Sequence, residues 1–257
     1  ANRWWNANDG DGLFASGTVE ATEAQLGFQA PGRIEIIKPR EGDAVKQGEL
    51  LAQLDTRETA ARLAQARAQV QASSARLAEA RRDLERNRTL LVGNAIGQEA
   101  YDKSELARQL AESDLAQARA QVQALEAVLA NMTVKASFDG VITVRHREPG
   151  ETMAAGAPVL TLMNPDDRWV RIYIPEQRIG AVHLGQKAAI VSDTYPDKRY
   201  GGAVVFIAAQ AEFTPKNVQT SEERVKLVYA VKVRIADDPR FELKPGMPAD
   251  VRLEAGE

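Results

Sequence analysis

Apolar residues recur along this chain with two different periods. Between residues 56 and 131 the interval is seven. Leu63, Val70, Leu77, Leu84 and Leu91 repeat at that spacing, and Ala66, Ser73 and Ala80 follow the first three by three positions. Leu115, Val122 and Leu129 repeat it again, with Ala111, Ala118 and Leu125 offset from them. Heptads with large and small residues predict a narrow seam between two long helices. No Pro occurs in the stretch, and Val92-Gly93-Asn94-Ala95-Ile96-Gly97 marks one turn within it. The two helices predicted on either side are about 54 and about 50 Å long, at 1.5 Å per residue. A short turn between them makes them antiparallel neighbours. The ten residues from Leu63 to Ala72 recur identically from Leu115 to Ala124, so like faces meet across the seam.

On both sides of this segment the pattern changes to short β-branched runs punctuated by Gly and Pro, the texture of strands and turns. A second repeat lies here. Aligning Gly32 with Gly140 puts Ile34 on Ile142, Ile36 on Val144, Gly42 on Gly150 and Val45 on Met153. Gly48 then meets Gly156, Leu51 meets Val159 and Leu54 meets Leu162. Each copy reads as strand, glycine turn, short strand, glycine turn, strand. One copy alone buries too little, so the two halves are expected to pair. From residue 167 onward, the runs 169–174, 188–191, 204–208 and 228–235 predict the strands of a small barrel. Pro175 to Gly180 reads as a short helix or turn, and Asn164-Pro165-Asp166-Asp167 as a turn between domains.

Charge refines the helical segment. The first helix carries eight basic and four acidic residues, the second three basic and six acidic. Opposite net charge favours pairing in one register, although each exposed pair contributes little. The balance within the hairpin, and a net charge of −3 for the 257 residues, argue against a nucleic-acid clamp. No cysteine is present, which removes disulfides, thiolate metal sites and cysteine nucleophiles. The two histidines, His146 and His183, are far apart in sequence. Nucleotide, phosphate and hydrolase motifs are missing. Ser192-Asp193 near His183 has the context of a strand end and loop. No apolar run reaches the roughly 20 residues that span a bilayer. Arg3-Trp4-Trp5 suits a membrane–water interface and equally an ordinary solvated terminus.

Pro31-Gly32-Arg33-Ile34 with Glu41 to Leu51 resembles the first half of a biotinyl/lipoyl-like domain, and Phe138 to Ile142 with Pro149 to Met153 and Gly156 to Leu160 resembles the second. With the hairpin between them and Leu243-Lys244-Pro245-Gly246-Met247-Pro248 near the end, the chain resembles the HlyD-like membrane fusion proteins, the periplasmic adaptors of tripartite exporters. The stretch FTPKNVQT, from Phe213 to Thr220, is similar to adaptors that accompany ABC-type exporters. The resemblance implies an α+β fold: a long coiled-coil hairpin inserted between two halves of a lipoyl-like β domain, then a small β-barrel. It implies four parts: residues 1–25 leading from the membrane side and giving a strand to the barrel, 26–55 with 133–164 as the lipoyl-like domain, 56–132 as the hairpin, and 165–257 as the barrel.

The function implied is a non-enzymatic, cofactor-free adaptor in the periplasm of a Gram-negative bacterium. It would be held to the inner membrane by an anchor outside this chain. Its implied partners are an inner-membrane transporter, ABC-type in preference to major-facilitator type, a TolC-like outer-membrane channel, and further copies in a ring. In the family an Arg, a Leu and a Ser at the hairpin tip meet the channel; the matching positions here are Arg86, Leu90 and Gly97. Gly97 departs from the family serine, which puts a hydroxyl contact there in doubt. Read from the residues alone, Arg86 is a surface helix position and Leu90 belongs to the hairpin's own seam. Two rival functions stand beside this one. A coiled-coil arm could bind client proteins. A biotin or lipoyl carrier would need a lysine at the tip joining the two halves, where this chain has its helices; Lys135 lies past them.

Overall fold

The computed structural model describes residues 12–213 and 227–254. The Trp4-Trp5 pair, and the FTPKNVQT stretch beyond Phe213, lie outside the described residues. The chain divides into two compact units, residues 25–162, and residues 1–24 with 163–257.

In the first unit the two sequence repeats become the two halves of one β sandwich. The first half contains β2 (Gly32–Ile37), β3 (Ala44–Val45) and β4 (Leu50–Leu54). After the helices come β5 (Thr133–Lys135), β6 (Gly140–Arg145), β7 (Thr152–Met153) and the beginning of β8 (Pro158–Pro175). Pairing is reciprocal: β2 with β7 and β3 with β6, both antiparallel. The hydrogen bonds are reciprocal too. Gly42 N–H donates to the Ile142 carbonyl and Gly150 N–H to the Ile34 carbonyl, each at 2.8 Å. Gly48 donates to Ala136 at 2.9 Å, and Gly156 donates to Phe28 at 2.8 Å. Equivalent positions share their burial. Leu51 and Val159, Leu54 and Leu162, and Ile34 and Ile142 are buried, while Ile36 and Val144 are both exposed. The two halves close one core around Phe28, Leu51, Leu160 and Met132. Gly42 and Gly150 have φ of +91° and +97°, which glycine adopts without steric cost.

The heptad segment forms α1 (Arg57–Val92) and α2 (Gln98–Asn131). Its seam is buried only in part. Leu63, Ala66, Ser73 and Leu77 are buried on α1, and Leu115 and Ala118 on α2, whereas Leu84 and Leu91 stay half-buried. Two helices with no third element leave the seam open on both sides, and large residues toward the tip keep contact with water. The hydroxyl of Ser73 is buried without a hydrogen-bond partner.

The second unit is a barrel. Its strands are β1 (Leu13–Gly27), most of β8, β9 (Lys187–Ser192), β10 (Tyr195–Ile207), β11 (Glu212–Phe213), β12 (Leu227–Ile235) and β13 (Pro248–Leu253). They run in the order β11-β12-β10-β9-β13-β1-β8, and β12 pairs back onto β8, Arg234 opposite Trp169. Alternating inward residues, among them Val170, Ile172, Ile174, Ile190, Val233 and Val251, fill its core. A 3₁₀ helix, Glu176–Ala181, stands where the sequence predicts a short helix or turn. The turn predicted at Asp166-Asp167 is absent. β8 runs straight through it, because Asp167 is held on the sheet by the Thr22 hydroxyl and lies 3.6 Å from the Arg234 guanidinium. Ser192 is buried and its hydroxyl donates to the Pro248 carbonyl, which makes it part of the barrel wall. One buried ion pair locks the 236–247 loop: Arg168 donates to the Asp238 carboxylate at 2.7 Å, the Leu243 carbonyl at 2.7 Å and the Asp238 carbonyl at 3.1 Å.

Candidate functional site

The hairpin tip is built by backbone geometry. After Val92 the helix closes on Gly93, and Asn94 takes the left-handed conformation, φ 54°. Asn94 N–H donates to the Leu91 carbonyl at 3.0 Å and Ala95 N–H to the Leu90 carbonyl at 2.9 Å. These two bonds are a Schellman cap, which satisfies carbonyls the helix end leaves open. Gly97 is the N-cap of α2 in an extended conformation, φ −82° and ψ 162°. A Cβ there meets nothing within 4 Å, so a side chain that caps the helix would fit without a clash.

Arg86 and Leu90 are one turn apart on one strip of α1, and Gly97 lies across the turn. The Arg86 side chain is 68% exposed and pairs with Asp83 at 2.6 Å. Leu90 is 38% exposed and so is not held inside the seam. Sequence reasoning missed Val92, which is 81% exposed beside the turn. Its only sequence signal is that it ends the run Leu90-Leu91-Val92 just before Gly93. It missed Leu106 and Leu110 as well, both more than half exposed on α2.

The shaft has two dissimilar sides. One is laced by ion pairs between the helices, Arg67 to Glu126 at 2.8 Å and Arg81 to Glu112 at 3.4 Å. Elsewhere a groove of about 430 Å³ opens between Ala80, Asp83 and Asn87 of α1 and Ala100, Lys103 and Ala107 of α2. At the base, the Asp55 carboxylate accepts from the Arg57 side chain at 2.6 and 2.9 Å, from the Arg57 N–H at 3.2 Å, and from Arg33 at 3.2 Å. The Arg57 guanidinium first, then its N–H and Arg33, hold the Asp55 carboxyl well below the usual carboxylate range. Met132 is buried in the sandwich core and Leu129 packs against it. Leu54 N–H donates to the Met132 carbonyl at 3.0 Å. Among the described residues no group of three or more His, Cys, Asp or Glu is arranged to hold a metal, and no helix is long and apolar enough to cross a membrane.

Residues 22–164 match the CzcB-like barrel-sandwich hybrid domain, and residues 170–253 match the YknX-like β-barrel domain. Among curated relatives, a UPF0194 membrane protein of Acidithiobacillus ferridurans is 32% identical over 292 residues, covering 92% of this chain and 85% of its own. The UPF0194 membrane protein YbhG of Salmonella newport (strain SL254) is 30% identical over 302 residues, covering 97% and 91%. Two solved structures share the fold. The membrane fusion protein Spr0693 from Streptococcus pneumoniae R6 has a TM-score of 0.74 at 19% identity, over 95% of this chain and 100% of that one. MacA from Actinobacillus actinomycetemcomitans has a TM-score of 0.69 at 18% identity, over 95% and 78%. The β sandwich split by the helical hairpin, with the closed barrel that follows it, spans the two matched domains, and the chain belongs with the UPF0194 membrane proteins.

Proposed function

We propose that this chain is the periplasmic adaptor of a tripartite export assembly. It links an inner-membrane exporter to a TolC-like outer-membrane channel, for efflux or secretion of small molecules. Membrane fusion proteins are adaptors without enzymatic activity, and the relatives are named membrane proteins. The inner-membrane partner in this reading is ABC-type, on the strength of the FTPKNVQT stretch, and the chain is anchored to the inner membrane. The four-part division at residues 25, 55, 132 and 164 is the matching proposal for its domains.

The observation that carries the reading is the tip. A two-helix arm about 50 Å long ends in a turn fixed by main-chain bonds, and that turn presents Arg86, Leu90 and Val92 to solvent. An exposed guanidinium beside exposed aliphatic side chains suits a partner's helix ends, whose carbonyls accept and whose grooves take Leu. Arg86→Asp tests it in cells lacking the native protein. Export is lost while the amount of adaptor stays normal, because an exposed helix position tolerates the change to within about 0.5 kcal/mol. Export at wild-type level would remove Arg86 from the channel interface.

A further inference from the structure

The loop between β12 and β13 closes a pocket in the barrel unit that the export reading does not use. The pocket measures about 320 Å³ and lies between residues 198–200 of β10 and residues 237–242 of the loop. Small-ligand sites start at roughly 300 Å³. Its walls are preformed. The Asp238 carboxylate accepts from Arg168 at 2.7 Å and from the N–H groups of Glu242 and Leu243 at 2.9 Å each. Glu242 accepts from the hydroxyl of buried Tyr200 at 2.7 Å and from Lys198 at 2.6 Å. Those charges answer one another. Three charged side chains of the lining are left over: Arg199, Arg240 and Asp237. All three are exposed, and among the described residues none has an ion-pair partner. Asp237 is held in place by its neighbour. The Ala236 N–H donates to the Gly201 carbonyl at 2.9 Å, and a Cβ on Gly201 would stand 2.4 Å from the Asp237 Oδ2, so any side chain at 201 pushes the carboxylate aside.

We infer that this pocket binds an aminoalkyl phosphate, an ammonium joined to a phosphate by a short carbon chain. Two unpaired guanidiniums and one unpaired carboxylate require a ligand that carries both signs, with the acid predominating. Each guanidinium fork takes two oxygens. A carboxylate has two and satisfies one fork, whereas a phosphate has enough for both. Asp237 accepts from the ammonium, which has only donors to offer. A bare anion would meet the Asp237 carboxylate as a like charge, and a bare ammonium would meet the two guanidiniums, so each half of the ligand is disfavoured without the other. The same group occurs free and as the headgroup of a phospholipid, and the test separates these sources. It reads ligand binding by the purified chain, so it stands apart from the export reading.

Backbone amide shifts of the purified chain are followed by NMR while phosphoethanolamine is added, with inorganic phosphate and ethanolamine as the two half-ligands. Phosphoethanolamine is expected to move amides of residues 198–201 and 237–242, with a Kd of about 1 mM or tighter. Each half-ligand should bind about tenfold more weakly. Arg199→Gln and Arg240→Gln should each weaken phosphoethanolamine about tenfold. Asp237→Asn should bring it to the level of inorganic phosphate, and Gly201→Ala, which displaces the same carboxylate, should act alike. Amide spectra identify a variant that fails to fold, and the comparison of whole and half-ligands on the unaltered chain stands without the variants. Sedimentation with phosphatidylethanolamine vesicles, lost in Arg240→Gln, assigns the group to a lipid headgroup. Binding of the free compound without vesicle binding assigns it to a soluble phosphate ester. Shifts confined to other residues, an affinity no higher than that of inorganic phosphate, or indifference to both Arg240→Gln and Asp237→Asn would overturn the inference.

Discussion

Gly42 and Gly150 occupy equivalent turns with nearly the same positive φ, and nothing within 4 Å would obstruct a Cβ at either. Substitution there is therefore a test of backbone strain alone. Gly42→Ala and Gly150→Ala should each cost about 1–2 kcal/mol in urea unfolding, and by similar amounts. Gly97→Ser has the opposite sign. Its φ and ψ already suit an N-cap and the space is open, so hairpin stability should rise by a few tenths of a kcal/mol, about the margin between serine and glycine caps. Ser73 buries a hydroxyl without a partner. Ser73→Ala removes that unsatisfied group and should stabilise the chain by about 1 kcal/mol in the same assay. In the barrel, burial of Asp238 opposes its ionisation, yet the N–H groups of Glu242 and Leu243 and the Arg168 guanidinium outweigh it and hold its pKa below the ordinary value. A carboxyl depressed in the folded state contributes stability above its unfolded pKa, about 4, and loses it as pH falls through the folded value. Thermal melts should therefore decline below about pH 4. Arg168→Met leaves a buried carboxylate without its cation and should cost about 3–5 kcal/mol at neutral pH, with a shallower acid decline.

The elements show which parts of this were legible in the sequence. The helices, their turn and the sandwich repeat could be read because each is written as a period, and periods survive without knowledge of neighbours. Ile36 and Val144 matched each other in the repeat, and both are exposed, so the repeat conveyed equivalence but not burial. Leu84 and Leu91 kept the heptad yet stay half-buried, since a heptad specifies a seam and not how well it is covered. Asp166-Asp167 has the composition of a turn, but side chains distant in sequence, Thr22 and Arg234, hold it in a strand. Of the candidate site, Arg86 and Leu90 were singled out through resemblance, while the exposure of Val92 depends on the cap geometry that follows it. The base of the hairpin was illegible for the same reason. The sequence shows only two backbone strands there, Leu54-Asp55-Thr56 and Asn131-Met132-Thr133, and not that Met132 is buried and Asp55 gathers Arg33 and Arg57. Asp55→Asn should loosen this clasp. Spin labels on the shaft and in the sandwich would report a broader distance distribution than in the wild type, and an unchanged width would show that Met132 and Leu129 alone fix the arm.

Taken over the whole chain, the sandwich is a long-range object: its two halves are separated in sequence by both helices and close one core through reciprocal hydrogen bonds. Closing a flexible loop of that length costs entropy before any contact is made, and such contacts make folding slow. The hairpin changes the order of events. Its contacts are local to a single turn, so they are expected to zip from the tip toward the base and bring Leu54 beside Met132, where their main chains bond in the folded chain. The shaft thus acts as a folding splint. Sandwich formation should be nearly indifferent to shaft length but sensitive to shaft continuity. Removing one matched heptad from each arm should leave the refolding rate within about twofold. Leu77→Pro, which interrupts α1 at a buried seam position, should slow refolding in stopped-flow measurements far more than it speeds unfolding. The arm that reaches outward in the finished protein is, during folding, the means by which two distant pieces of chain find each other.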